Sequence, residues 1–182
     1  MIGYKATYNG WCLGQFYEVG QTYTLNGELV MCVNGFHFCQ DLFDIFNYYP
    51  PNKNLKVFKV ESLEDTITND DKSIANKLKI LEEVNLSNLK LEKNGKKYEF
   101  NSNGKLSEYL MVDGYWEKYE YDEESNLIKR EDSDGCWSKY EYDENKNRIK
   151  FEDSTGYWEK CEYNETNKLI KKECSDGYSV KY

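Results

Sequence analysis

Four glycines spaced 21 residues apart open near-identical segments in the second half of the chain. Gly114, Gly135, Gly156 and Gly177 mark these segments, and the first reads GYWEKYEYDEESNLIKREDSD. A more divergent copy precedes them, so the array begins near Lys93. A fixed period of this length is typical of proteins built from repeated supersecondary units. Any fold of this chain must therefore accommodate a tandem array.

Each repeat contains two β-prone runs separated by a polar turn. In the first full repeat, residues 116–121 precede the turn and residues 127–131 follow it. An Asp-Gly or Thr-Gly pair closes each repeat, and Gly readily adopts the positive φ that tight turns require. We therefore expect one β-hairpin per repeat, and an all-β meander or solenoid over residues 93–182.

Residues 1–92 do not repeat and are richer in ordinary core residues. Asp41 is a candidate N-cap for a helix in LFDIFNYY, which Pro50-Pro51 would end. Residues 55–63 alternate like a half-buried strand, whereas residues 70–84 fit either a helix or a strand. Further β-like runs occupy residues 3–8, 16–19, 22–25 and 28–33. These patterns predict an α+β domain over residues 1–92.

Composition narrows the classes of function. The chain carries 24 basic and 33 acidic residues, a net charge of −9, which argues against a phosphate-neutralising nucleic-acid surface. No apolar run is long enough for a membrane span, and the first residues lack the pattern of a secretion signal. We therefore expect a cytoplasmic protein whose six cysteines are free thiols.

Cys12, Cys32, His37 and Cys39 form the strongest cluster of metal-ligand residue types. Two thiolates and an imidazole can begin a tetrahedral zinc site, but the spacing C-x4-H-x-C is not that of a standard zinc motif. The alternative is a buried strand edge in which Cys is a small apolar residue. A nucleophilic pair of Cys39 and His37 lacks any visible orienting third group. We therefore predict no metal, no cofactor and no catalytic residue.

Aromatic residues recur at fixed positions of the array, surrounded by Asp and Glu. Tyr and Trp often anchor protein interfaces, although they also join neighbouring hairpins through cross-strand pairs. A single sheet leaves one aromatic column available, so we predict partner binding by Trp116, Trp137, Trp158, Tyr119, Tyr140, Tyr121, Tyr142 and Tyr163.

Two resemblances accompany these patterns. Residues 1–84 resemble an uncharacterised domain of phages, prophages and low-GC bacteria, through GYKA at its start, FYEVG with TY, GFHFC, FNYYP and a later Val-Glu. That family implies no settled activity. Residues 93–182 resemble tyrosine-rich arrays of the YD and MORN type, which implies a shell or an interaction platform.

The order of elements in residues 1–84 also loosely resembles that of ADP-ribosyltransferases. This resemblance implies that His37 or Tyr4 would lie near the ribose of NAD and that Tyr48 or Tyr49 would lie beside the nicotinamide. The catalytic acid would be one of two later carboxylates, Glu61 or Glu64. There is no Arg or His on the first strand and no Ser-Thr-Ser segment, so the resemblance is one of layout.

The net charge is −4 before Lys93 and −5 from Lys93 onward, so both halves favour a partner with a basic surface. With the phage resemblance, this predicts a non-enzymatic inhibitor of a host defence nuclease, of the CRISPR type or another, similar to anti-CRISPR proteins in size and charge. Two alternatives are an ADP-ribosyltransferase-like enzyme carrying the array as a targeting arm, and a self-associating shell module.

Overall fold

Nearly every regular element of the protein is a β-strand. The computed structural model describes residues 1–52 and 54–182. Contacts divide the chain into two units, Met1–Leu89 and Lys90–Tyr182, and each unit contains one antiparallel sheet.

The sheet of the first unit has the order β4-β9-β6-β1-β5-β8-β7, with the short hairpin β2-β3 attached to the end of β1. Strand order departs from sequence order because the chain crosses between the central strands and both edges. The strands are β1 (Ile2–Tyr8), β2 (Trp11–Cys12), β3 (Gln15–Phe16), β4 (Thr22–Thr24), β5 (Phe36–Cys39), β6 (Leu55–Ser62), β7 (Thr66–Asn69), β8 (Lys72–Ala75) and β9 (Lys77–Glu83).

The core of this unit lies against β6, β8 and β9. In β9, the alternation of KLKIL buries Leu78 and Ile80 and leaves the intervening lysines only partly buried. The same core takes Val60 from β6 and Phe38 from β5. Residues 70–84, which fit either a helix or a strand by sequence, contain the two strands β8 and β9, and in β9 the burial of the apolar residues has the period of two that a strand requires.

The prediction of an α+β domain is wrong. The Oδ1 of Asp41 accepts a hydrogen bond from the Phe43 N–H at 2.8 Å, but the N-cap of the helix is Leu42, whose side chain makes no capping bond. The helix is a five-residue 3₁₀ helix, Phe43–Asn47, because the segment before Pro50 is too short to offset the cost of α-helix nucleation. No helix in the described residues is long and apolar enough to cross a membrane.

The strand expected over residues 28–33 is also absent from the structure. This loop forms one isolated bridge, between Val30 and Asn34, and turns at Cys32, whose φ is 63°. A left-handed residue cannot continue an extended strand.

The second unit is a ten-stranded meander in which every strand pairs with its neighbours in sequence. The hairpin repeats predicted from the sequence are thus observed, in the meander rather than the solenoid arrangement. Its strands are β10 (Lys90–Lys93), β11 (Lys96–Phe100), β12 (Leu106–Leu110), β13 (Trp116–Tyr121), β14 (Leu127–Asp132), β15 (Trp137–Tyr142), β16 (Arg148–Asp153), β17 (Trp158–Tyr163), β18 (Leu169–Cys174) and β19 (Ser179–Lys181).

Each full hairpin repeats the same register and the same irregularity. In the first, Glu120 pairs with Lys129 but Tyr121 pairs with Leu127, so one residue of β14 is bulged. The other two full hairpins shift register at the equivalent step. The Oδ1 of Asp122 accepts the N–H groups of the second and fourth residues after it, which fixes the turn that precedes the bulge.

The fourth residue of each of these turns is left-handed. Gly104, Ser125, Lys146 and Asn167 occupy equivalent positions, with φ of 69°, 66°, 64° and 60°. Gly and Asn adopt this conformation readily, whereas a long unbranched side chain is strained in it.

We predict that Lys146→Gly raises the free energy of unfolding by about 0.5–1 kcal/mol, because relief of left-handed strain exceeds the entropic cost of glycine. Urea denaturation of the full chain measures this change. Glu144→Gly, in the same turn at a residue without positive φ, should not stabilise the protein. A lower stability of Lys146→Gly than of the unsubstituted chain would contradict the prediction.

Candidate functional site

A cavity of about 290 Å³ opens in the first unit. Its walls come from β1, β2, β5 and the 3₁₀ helix, together with the segment that follows the helix. Ala6, Phe38 and Ile45 supply apolar surface, while Lys5 and Lys72 supply two amines. No carboxylate among the described residues lines the cavity, so its charged lining is cationic.

Lys5 is the most unusual residue of this cavity, since it is only 3% exposed. Its Nζ donates a hydrogen bond to the backbone oxygen of His37 at 3.0 Å and lies 3.8 Å from the Sγ of Cys12. The same Nζ lies 4.7 Å from the centroid of the Tyr17 ring. Burial lowers the pKa of the Lys5 ammonium, and the nearby Cys12 opposes that shift.

The thiols and the imidazole around Lys5 have separate partners. The Sγ of Cys12 lies 3.1 Å from the Tyr49 hydroxyl, and the Nε2 of His37 accepts the backbone N–H of Cys32 at 3.1 Å. Burial, followed by repulsion from the two lysines, lowers the pKa of His37. Among the described residues, no three His, Cys, Asp or Glu side chains converge on a point that suits a metal ion. His37 and Cys39 lie on β5, an interior strand of the sheet, while Cys12 is buried on β2 and Cys32 is exposed in the loop before β5.

The carboxylates assigned by the ADP-ribosyltransferase resemblance lie elsewhere. His37, Tyr48 and Tyr49 all line the cavity, as that layout requires. Glu61 instead faces Lys79 across the β6–β9 ladder, and Glu64 forms an ion pair with Lys77 at 2.9 Å. The cavity therefore lacks the acid that such chemistry needs.

The aromatic residues predicted to bind a partner lie on two opposite faces of the repeat sheet. Trp116, Trp137 and Trp158 begin their strands, and each ring lies beneath the lysine two residues later, at 5.0, 4.9 and 5.3 Å from the centroid. Because side chains alternate along a strand, the predicted tyrosines lie on the opposite side. We call these two surfaces the Trp face and the Tyr face.

The rest of the Trp face is a grid of alternating lysines and glutamates. Lys129 contacts Glu120 across the ladder at 3.3 Å and Glu131 along its own strand at 2.8 Å. Lys150 and Lys171 make the equivalent pairs in the next two hairpins. Glu131 lies directly opposite Trp137, so the column of indoles runs beside a column of carboxylates.

Several side chains of the Tyr face form hydrogen bonds with one another and with the backbone. Glu117 accepts hydrogen bonds from Tyr115, Tyr119 and Arg130, and the Tyr121 hydroxyl donates to the backbone oxygen of Leu106. In the third hairpin, Glu159 takes the place of Glu117, with Tyr157, Arg148 and Lys172 as its partners. Ring contacts continue this packing through Tyr98 with Tyr109 and Tyr140 with Phe151.

Of the predicted binding residues, Tyr119, Tyr140, Tyr121, Tyr142 and Tyr163 thus lie on the Tyr face. The hydroxyls of Tyr119, Tyr121 and Tyr163 donate to other groups of the array, the last to the backbone oxygen of Arg148 at 3.3 Å. Among the described residues, no group pairs with the hydroxyls of Tyr140 and Tyr142, and none accepts a hydrogen bond from the indole N–H groups of the three Trp residues.

The first unit matches a known family. A family model described as a domain of unknown function (DUF7666) covers residues 1–92. The chain belongs to the DUF7666 family. No curated protein sequence matches the chain.

The most distinctive residue of the DUF7666 domain, Lys5, escaped the sequence analysis. The ammonium of a lysine in a half-buried strand is ordinarily exposed to solvent, so the segment IGYKATY does not by itself predict that Lys5 is buried. The available sequence signal was that Lys5 shares a strand face with two small uncharged residues, Gly3 and Thr7, and the structure shows that both are buried. A charged residue on an otherwise buried face identifies a possible site.

We predict that Glu117→Gln lowers the free energy of unfolding by about 1–3 kcal/mol at pH 7, because it weakens the bonds to a charged acceptor. Burial alone would raise the pKa of this carboxylate, but hydrogen bonds from its three partners outweigh burial and lower the pKa of Glu117 to about 2. Since the ordinary value is 4.5, the stabilisation is present above that pH and is lost as the pH falls toward 2. Urea denaturation as a function of pH measures it.

Glu120→Gln, on the same strand but on the Trp face, is the matched control. Its pair with Lys129 is exposed to solvent, so the loss of stability should be much smaller. Equal losses for the two variants would contradict an internal role for the Tyr face.

The cysteines should react according to their burial. We predict that Cys32 and Cys136, which are exposed, are alkylated rapidly in the native protein, whereas Cys12, Cys39 and Cys174 react slowly. Differential alkylation followed by peptide mass spectrometry measures the rates, and denatured protein is the control. Fast modification of Cys12 would show that the cavity opens more widely than the structure indicates.

Proposed function

We propose that the protein is a non-enzymatic binding module whose Trp face docks on a basic protein surface. The observation that supports this most is the column formed by Trp116, Trp137 and Trp158. Each indole has a lysine on one side and an N–H without a described acceptor. Large aromatic groups with a free donor are the side chains that most often anchor interfaces.

The spacing of the three Trp residues limits the partner surfaces that would fit the Trp face. Equivalent residues of successive hairpins are two strands apart, which corresponds to about 10 Å. A partner would therefore meet the indoles and the neighbouring glutamates at regular intervals of about 10 Å. A row of Lys or Arg side chains on a rigid surface fits this arrangement, since the carboxylates can exchange their present lysine partners for the incoming cations.

Charge supports a basic partner over an acidic one. From Lys93 onward the chain has 16 basic and 21 acidic residues, so the array attracts a positively charged surface at long range. The resemblance to YD and MORN arrays agrees with a platform for protein binding. As the finer proposal, the partner is the nucleic-acid channel of a defence nuclease, because such channels are extended and basic.

The test measures binding of the full chain to a purified RNA-guided nuclease without its guide, by interferometry at two salt concentrations. We expect binding that weakens with salt and that guide RNA prevents. The triple substitution of Glu131, Glu152 and Glu173 by Gln should lower the affinity on the order of tenfold or more.

The matched control is the triple substitution of Glu123, Glu144 and Glu165 by Gln. It removes the same charge from the same array, but from exposed turns at the far ends of the strands. An equal loss in both variants would contradict docking on the Trp face. Absence of binding by the unsubstituted chain would exclude this nuclease as a partner.

A further inference from the structure

The DUF7666 domain buries an ammonium group without an anion to balance it. Lys5 is only 3% exposed, and among the described residues the only oxygen that accepts a hydrogen bond from its Nζ is the uncharged backbone oxygen of His37. No carboxylate among the described residues forms an ion pair with it. A buried charge is costly unless a partner of opposite charge compensates it. The missing partner is the feature that calls for an explanation.

The neighbouring groups do not supply that anion. Lys72 adds a second cation to the lining, with its Nζ 4.0 Å from the Tyr48 ring centroid. The carboxylate of Asp71 is held by the Tyr48 hydroxyl at 2.5 Å and by the side-chain amide of Asn47 at 3.0 Å. Asp71 does not line the cavity. The cavity therefore combines a buried lysine and a second lysine at its wall, and none of the described residues that line it is a carboxylate.

We propose that this cavity binds a small monocarboxylate, whose carboxylate pairs with the Lys5 ammonium. The apolar body of the ligand lies against Ala6, Phe38 and Ile45. A singly charged anion suits the site because one buried ammonium balances one carboxylate. The volume of about 290 Å³ is at the lower end for ligand cavities, which limits the occupant to a small molecule.

The rim of the cavity agrees with a partly apolar ligand. Leu13, at the tip of the β2-β3 hairpin, lines the cavity and is 91% exposed. Its backbone is left-handed, with φ of 49°. A ligand that extends from Lys5 toward the opening would cover this side chain and remove its apolar surface from water.

The test uses the full chain and three probe pairs: benzoate with benzyl alcohol, hexanoate with hexanol, and 3-phenylpropionate with its alcohol. Saturation-transfer NMR and calorimetry measure binding. We expect at least one acid to bind more tightly than its alcohol by on the order of ten- to a hundredfold, the usual worth of a hydrogen bond to a charged group.

Lys5→Met keeps an unbranched side chain that is one atom shorter and removes the charge, so this variant should fold and lose that preference. Lys56→Met is the matched control, because Lys56 forms only an exposed ion pair with Glu83, and it should bind as the unsubstituted chain does. The Trp-face variant Glu131→Gln, Glu152→Gln, Glu173→Gln should also keep full binding of the acid, which separates this proposal from the proposed function.

Three results would overturn the proposal. They are equal binding of acid and alcohol, unchanged binding by Lys5→Met, and no binding of any probe acid. A fourth measurement tests whether Lys5 carries an uncharged amine instead of an ammonium. Incubation with benzaldehyde and borohydride would then give a benzyl group on Lys5, and this modification without benzoate binding would likewise overturn the proposal.

Discussion

Pairing between neighbouring strands is the interaction on which the second unit depends. This unit contains one sheet, and few of its side chains are fully buried. Its stability therefore comes from contacts of each hairpin with the next, on both faces. The Tyr face contributes hydrogen bonds and ring contacts around Glu117 and Glu159, while the Trp face contributes a grid of exposed ion pairs whose individual worth is small.

Register is the second constraint, because a shift of one residue would exchange the two faces. The Asx turns at Asp122, Asp143 and Asn164 hold the register in each full hairpin, and a bulge follows each turn. The carboxylates at Asp122 and Asp143 accept backbone N–H groups, and hydrogen bonds from the following Asn lower the pKa of both. Part of the acidic composition of the array is thus structural, and the remainder gives the surface its charge.

The sequence predicted the repeat unit well because its signals are local. Turn residues and period-two alternation determine a hairpin without reference to distant residues, and the 21-residue period repeats the signal. The sequence predicted a longer helix than the 3₁₀ helix Phe43–Asn47 that the structure contains. A candidate N-cap and a helical spacing indicate that a helix forms, but they do not indicate how many residues remain helical once Phe43 and Phe46 are packed. The alternation of side chains along each strand is enough to predict that Trp and Tyr lie on opposite faces. It does not predict the hydrogen bonds and ion pairs that distinguish the two faces.

The Lys5 site was the least predictable part, because burial of a charged residue depends on strands that are distant in sequence. Lys5 on β1 meets the backbone of His37 on β5 and the thiol of Cys12 on β2 only after the sheet has formed. The burial that these distant strands impose on Lys5 also has a consequence for stability. An isolated buried ammonium lowers stability, so a fold that retains one in a cavity has a site where an anion would restore the lost free energy. The two units therefore differ: the array pairs many of its exposed lysines with neighbouring glutamates, whereas the buried ammonium of the DUF7666 domain has no carboxylate partner among the described residues.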